Sequence, residues 1–105
     1  MSTSPRALRN FIDGSYAEAQ TDATQDIVNP STGQVVAKAP VSSEADVDAA
    51  YSAAERAFGE WGQTTPGERQ EALLKFADAI EKRADDFVKL EAENTGKPYA
   101  LTTTE

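Results

Sequence analysis

The sequence predicts an α/β fold, α+β if these residues stand alone, with two β-hairpins followed by two to three helices. Three observations lead there. Asp13-Gly14 sits between the apolar pairs of Phe11-Ile12-Asp13-Gly14-Ser15-Tyr16, the short-range signal for a tight turn with positive φ. Asn29-Pro30-Ser31-Thr32-Gly33 separates two further β-type runs. From Ser43 onward the apolar period changes from two to 3.6.

Residues 1–9 carry neither period and are expected to be disordered, which leaves 10–105 as the structured region. The first hairpin follows at Phe11–Tyr16, and the polar stretch from Glu18 to Gln25 reads as loop. Ile27-Val28 leads into the second hairpin and Val35-Val36-Ala37 leads out. Pro30 presets φ for the turn and Gly33 supplies its left-handed exit. Asn29 is not a glycosylation acceptor, because Pro30 fills the forbidden middle position.

Ser43 is the predicted N-cap of the first helix, with Glu44 and Asp46 favoured in its first turn by the helix dipole. Val47, Ala50, Tyr51, Ala54, Phe58 and Trp61 form one helical stripe, expected to be the packed face, and Gly62 ends the helix. Thr65-Pro66-Gly67-Glu68 is a capping box with Pro at the first helical position. Leu73, Phe76, Ala77, Ile80, Ala84, Phe87 and Val88 are the predicted buried stripe beyond it. Glu71–Lys75, Asp78–Lys82 and Asp85–Lys89 are i,i+4 pairs of favourable polarity on a solvated face, worth about 0.2–0.5 kcal/mol each. Unbroken, Pro66 to Thr95 would be about 45 Å of helix, and a break is expected near Ala84–Asp86. Gly96-Lys97-Pro98 stops the run: Gly for a left-handed cap, then a Pro that forbids continuation. Leu101–Glu105 reads as the start of another element.

Composition narrows the function. The net charge of −8 disfavours nucleic acid and anionic membrane surfaces as partners. With neither Cys nor His, these residues offer no thiolate nucleophile, imidazole base or zinc site. No apolar run follows Arg6 and Arg9, which predicts no secretory leader, and no stretch approaches the roughly 20 apolar residues of a membrane span. A cytoplasmic location follows as the default expectation. Leu, Ile, Val and Phe number 18 of 105, and alanine, which buries little area, numbers another 18. The predicted elements are therefore well signalled, but the apolar surface to join them is thin.

No constellation for catalysis or cofactor binding emerges from the residues themselves. Gly96-Lys97 fails as a phosphate loop, because Pro98 stands where Ser or Thr would bind magnesium and a helix precedes it. There is no Gly-x-Gly-x-x-Gly and no calcium-loop spacing. Asp85-Asp86 are adjacent on a helix and diverge, so solvation is their expected role.

Several segments together resemble the N-terminal portion of the NAD(P)-dependent aldehyde dehydrogenases. They are Phe11–Gly14, Val28–Val35, Ala45–Ala50, Phe58–Trp61, Glu68-Arg69, Leu73–Asp78 and Asn94–Pro98, in the family's order and at about its spacing. Trp61–Pro66 and Glu93–Pro98 are similar to the γ-aminobutyraldehyde dehydrogenase branch, whereas many relatives, betaine aldehyde dehydrogenases among them, carry Asp where this chain has Asn94.

The resemblance implies the opening part of a nucleotide-binding domain in a subunit of a homotetramer, with NAD as cofactor and a small aldehyde as substrate. A Cys thiolate would attack the aldehyde, hydride would pass to NAD, and a Glu-activated water would release the acid. In the family those groups lie downstream, so no catalytic or cofactor-binding residue is assigned here, and this segment alone is expected to be inactive. It would pack on the rest of its own subunit. The branch-like stretches imply oxidation of 4-aminobutanal to 4-aminobutanoate, in putrescine degradation, with betaine aldehyde or another aldehyde as the alternative. The resemblance also implies a structural K⁺ or Na⁺ held by the backbone carbonyls of Ile27 and Val28 and the side chain of Asn94. Asn in place of Asp removes a charge there and weakens the site. A reading of another class is a small acidic helical module that binds a protein through the alanine-rich stripe and Trp61.

Overall fold

The computed structural model describes residues 4–104. The chain runs β1 (Arg6–Ala7), β2 (Asn10–Ile12), β3 (Ser15–Ala17), β4 (Thr24–Val28), β5 (Val35–Pro40), α1 (Glu44–Trp61), α2 (Pro66–Lys82), α3 (Ala84–Thr95) and α4 (Tyr99–Thr104). It divides into two compact units. The first holds the strands and α1, ending at Gln63. The second holds the loop Asn29–Gln34 and the chain from Thr64.

In the first unit, β2 and β3 form an antiparallel hairpin with Phe11 opposite Tyr16. Asp13 (φ 56°) and Gly14 (φ 79°) both take the left-handed conformation that a two-residue turn of this hand requires. β4 and β5 are antiparallel, and β1 runs parallel to β5 on its other side. The predicted hairpins are thus both present, but the expectation of disorder over 1–9 does not hold at Arg6–Ala7. The register there is Arg6 with Ala37 and Ala7 with Lys38. Two residues without alternation give no local signal, and the strand exists because β5 offers an open edge. Residues 1–3 lie outside the described residues.

β5 is the central strand, and Ala37 on it is the most buried apolar residue, at 2% exposure. The other buried apolar residue is Ala53 of α1, and no large side chain is fully buried among the described residues. The stripe expected to pack, Val47–Trp61, is instead open: Tyr51 is 75% and Phe58 71% exposed. At about 100° per residue, the buried pair Asp46 and Ala53 lies roughly a quarter-turn or more around the helix from that stripe. The small side chains of this second face let the β2–β3 hairpin approach, and among the described residues of the unit none covers the aromatic one.

The helix ends follow their sequence signals closely. Ser43 and Thr65 both close complete capping boxes, with Asp46 and Glu68 reaching back to the N-cap amides. Gly62 is the C-cap of α1. In the second unit the break between α2 and α3 falls at Arg83, one residue before the expected range. The stripe from Leu73 to Val88 was expected to be buried, yet Leu73, Phe76, Ile80 and Phe87 are all exposed, and neither α2 nor α3 buries any residue. Glu71–Lys75 closes at 3.6 Å between exposed side chains, where such a pair contributes tenths of a kcal/mol at most. The threonine-rich end forms a fourth helix, α4. There Thr102 and Thr103 donate their hydroxyls to the carbonyls of Pro98 and Tyr99 four residues back, giving each hydroxyl a partner within the helix.

Candidate functional site

Two of the segments singled out in the sequence meet in the second unit. The loop Asn29–Gln34 is organised around Asn29. Its carbonyl accepts from the Thr32 and Gly33 amides at 3.2 and 2.8 Å, its amide donates to the Gln34 carbonyl at 2.9 Å, and its side-chain oxygen accepts from the Ser31 amide at 2.9 Å. Pro30 is thereby held in one orientation. Facing it is the end of α3, where Gly96 (φ 75°) donates to the Ala92 carbonyl and forms the left-handed cap. A Cβ on Gly96 would lie 2.9 Å from Cγ of Pro30 and 3.4 Å from Oγ of Ser31. The glycine is therefore required twice over, by its φ and by the ring against it. Beside this contact is an open cleft of about 250 Å³, whose walls include Asn29, Ser31, Glu93, Lys97 and Tyr99. Its polar groups suit hydrogen bonding.

The first unit has a different polar centre. Asp46 is 5% exposed. Its carboxylate accepts from the Gln20 amide through both oxygens, at 3.0 and 3.1 Å, and from the Ser43 amide and hydroxyl at 2.8 and 2.9 Å. The Ser43 amide holds this carboxyl below its ordinary pKa and the Gln20 amide adds to the effect, while burial acts the other way. Asp46 thus fastens the loop before β4 to the start of α1. Sequence reasoning placed it in the first helical turn but missed the second partner, since nothing local marks Gln20.

Of the residues implied as cation ligands, Ile27 and Val28 end β4 in the first unit, and Asn94 lies exposed in the last turn of α3 in the second. The pairing of β4 with β5 is irregular between Ile27 and Val28, which face Ala37 and Val35 respectively. An irregularity of this kind disrupts the ladder locally and bends the strand. Among the described residues, no cluster of three His, Cys, Asp or Glu is placed to hold a metal ion.

Comparison with known proteins identifies the family. The model of the "Aldehyde dehydrogenase family" matches residues 16–105. The chain belongs to the aldehyde dehydrogenase family. It is 38% identical over 99 residues to 2-hydroxymuconic semialdehyde dehydrogenase of Pseudomonas sp. strain CF600, covering 93% of this chain and 20% of that protein. Malonate-semialdehyde dehydrogenase of Listeria monocytogenes is 35% identical over 92 residues, covering 88% and 19%. Among solved structures, lactaldehyde dehydrogenase from Escherichia coli superposes with a TM-score of 0.92 at 34% identity, over 96% of this chain and 21% of that one. The chain therefore spans about one-fifth of the length of these relatives, and its fold matches the N-terminal part of aldehyde dehydrogenase structures.

The residues of this aldehyde dehydrogenase segment do not by themselves fit a dinucleotide. A pyrophosphate would need an open helix N-terminus. At α1 and α2 the N-terminal amides are closed by Ser43 and Thr65, with the carboxylates of Asp46 and Glu68 alongside. α3 carries Asp85 and Asp86 in its first turn. All three ends present negative charge where a phosphate would have to sit.

Proposed function

We propose that these 105 residues are the N-terminal segment of an NAD-dependent aldehyde dehydrogenase that oxidises a small aldehyde to its carboxylate. The observation that carries this reading is the family match over residues 16–105. It is supported by the fold: the Asn29–Gly33 loop and the Gly96 cap, far apart in the sequence, pack together. The reaction converts aldehyde, water and NAD⁺ to carboxylate, NADH and protons. Since the sequence holds neither Cys nor His, the nucleophile belongs to the rest of the polypeptide. The contribution of this segment is structural: strands, helices and caps that support a nucleotide-binding domain. We place the complete enzyme in the cytoplasm as a homotetramer on the family resemblance.

For the substrate, Trp61–Pro66 and Glu93–Pro98 favour 4-aminobutanal. A second reading has a specific observation behind it. The relatives named above act, by their names, on 2-hydroxymuconic and malonate semialdehydes, which carry a carboxylate in place of an amine. The two predict opposite charge in the substrate pocket. Steady-state kinetics of the complete enzyme with NAD decide between them, comparing kcat/KM for 4-aminobutanal, betaine aldehyde and malonate semialdehyde. A preference of tenfold or more, about 1.4 kcal/mol, for 4-aminobutanal supports the first reading. A preference for the semialdehyde replaces it with the second.

A further inference from the structure

A groove runs through the first unit between β2 and α1. It comprises two adjoining cavities of about 260 and 470 Å³ that share Phe11, Ile12 and Ala50. Its strand wall is built from residues 10–14, and no residue of β3 lines it, so it follows the outer edge of β2. The register defines what that edge offers. In a hairpin with a two-residue turn, Ile12 and Ser15 form the hydrogen-bonded pair that flanks the turn, and Phe11–Tyr16 is the next, non-hydrogen-bonded pair. The N–H and C=O of Phe11 therefore point away from β3 and into the groove. The floor is Ala50, Ala53, Ala54 and Ala57, small enough for a backbone to come close.

We propose that this groove receives an extended, uncharged segment from the remainder of the same polypeptide, added as a third strand along β2. The inference rests on the reading that these residues belong to a complete aldehyde dehydrogenase subunit, whose relatives are about five times longer than the 105 residues. The dimensions suit a strand. From Asp46 to Ala57 the floor is about 16 Å long, the length of roughly five extended residues. The charge suits an uncharged one. At one end the Asp46 carboxylate is taken up by Ser43 and Gln20, and at the other Asp13 faces Arg56 at 3.4 Å. The Asp46 carboxylate is buried, and the exposed Asp13 carboxylate is already paired, so neither end offers an unpartnered charge. An edge strand with an apolar floor beside it is the arrangement that strand addition uses.

The hairpin contains its own control. Phe11 and Tyr16 occupy equivalent positions on its two edges and are equally exposed, at 64% and 63%. In the complete subunit, amide hydrogen exchange at Phe11 should be slower than at Tyr16 by on the order of 100-fold, since only the β2 edge gains a strand. Ala54→Glu, which puts a charge on the groove floor, should bring the Phe11 rate back towards that of Tyr16. Equal exchange at the two residues in the unmodified subunit overturns the proposal, whether or not the variant folds. Protection of Phe11 that is lost on dilution assigns the groove to a second copy and also overturns it. NAD-dependent aldehyde oxidation by the same preparation tests the parent reading separately: an active subunit with unprotected Phe11 leaves that reading standing and removes only this one.

Discussion

Replacing Gly96 by Ala perturbs two things that can be separated. The first is the backbone: at φ 75° a non-glycine residue costs about 1–2 kcal/mol. The second is packing. The new Cβ would lie 2.9 Å from Cγ of Pro30, against an optimal carbon–carbon separation of about 3.5–4.0 Å. A proline ring cannot swing away by changing rotamer, and Asn29 pins the loop behind it, so the backbone must move. Overpacking of this kind typically costs about 1–3 kcal/mol. The sum predicts a loss of about 2–5 kcal/mol for Gly96→Ala. Gly33→Ala isolates the first term, because Gly33 has the same φ of 75° but nothing within 4 Å of its would-be Cβ. It should cost about 1–2 kcal/mol. Urea unfolding followed by helical circular dichroism, with both variants measured alongside Pro30→Ala and the double variant Pro30→Ala/Gly96→Ala, gives the comparison. The double variant should be more stable than the sum of the singles predicts, by about 1 kcal/mol or more. If Gly96→Ala costs no more than Gly33→Ala, or if the two sites are additive, the contact between the Asn29–Gln34 loop and the α3 cap is not a packed one, and the reasoning fails.

Two further predictions concern single side chains. Asp46 has its pKa lowered by the hydrogen bonds it accepts, so the stability it supplies is fully present above the ordinary carboxylate range and is lost as pH falls through the depressed value. Unfolding midpoints should therefore fall on the acid side of about pH 4, and Asp46→Asn should flatten that limb while lowering stability at neutral pH. An unchanged acid limb in the variant would assign the pH dependence to other carboxylates. At position 94, restoring the charge with Asn94→Asp in the complete enzyme should tighten K⁺ binding by roughly tenfold, since affinity in such oxygen sites follows ligand charge. This is read as a shift in the K⁺ concentration that raises the melting temperature. No K⁺ dependence with either residue rules out a cation ligand at this position.

Local features of the fold were legible because their physics is confined to a few residues. Asp13-Gly14, Gly33 and Gly96 all take the positive φ their contexts require, and Ser43 and Thr65 cap the helices they precede. β1 was not legible, because a two-residue strand has no pattern of its own and depends on the edge of β5. The two faces of α1 part company within these residues: the bulky stripe is open, as a face meant for the rest of a larger domain would be, and the small-residue face is covered. Periodicity finds the bulkiest stripe, while the buried residues are Asp46 and Ala53.

For the candidate site the same division holds. Asn29 was visible as half of an Asn-Pro turn, and Gly96 as a helix stop, but not that the two would touch. The Gln20–Asp46 clasp left no trace in spacing at all.

By itself, then, the sequence determined the turns, the caps, the order of hairpins before helices, the thinness of the core and the family, since each depends on backbone preferences or on an ordered set of short motifs. Only the tertiary structure decided which faces are covered, that Pro30 rests on Gly96, and that the outer edge of β2 borders an apolar groove. Those depend on contacts between residues distant in the chain, where the free energy lies in shape and complementarity that no local pattern encodes.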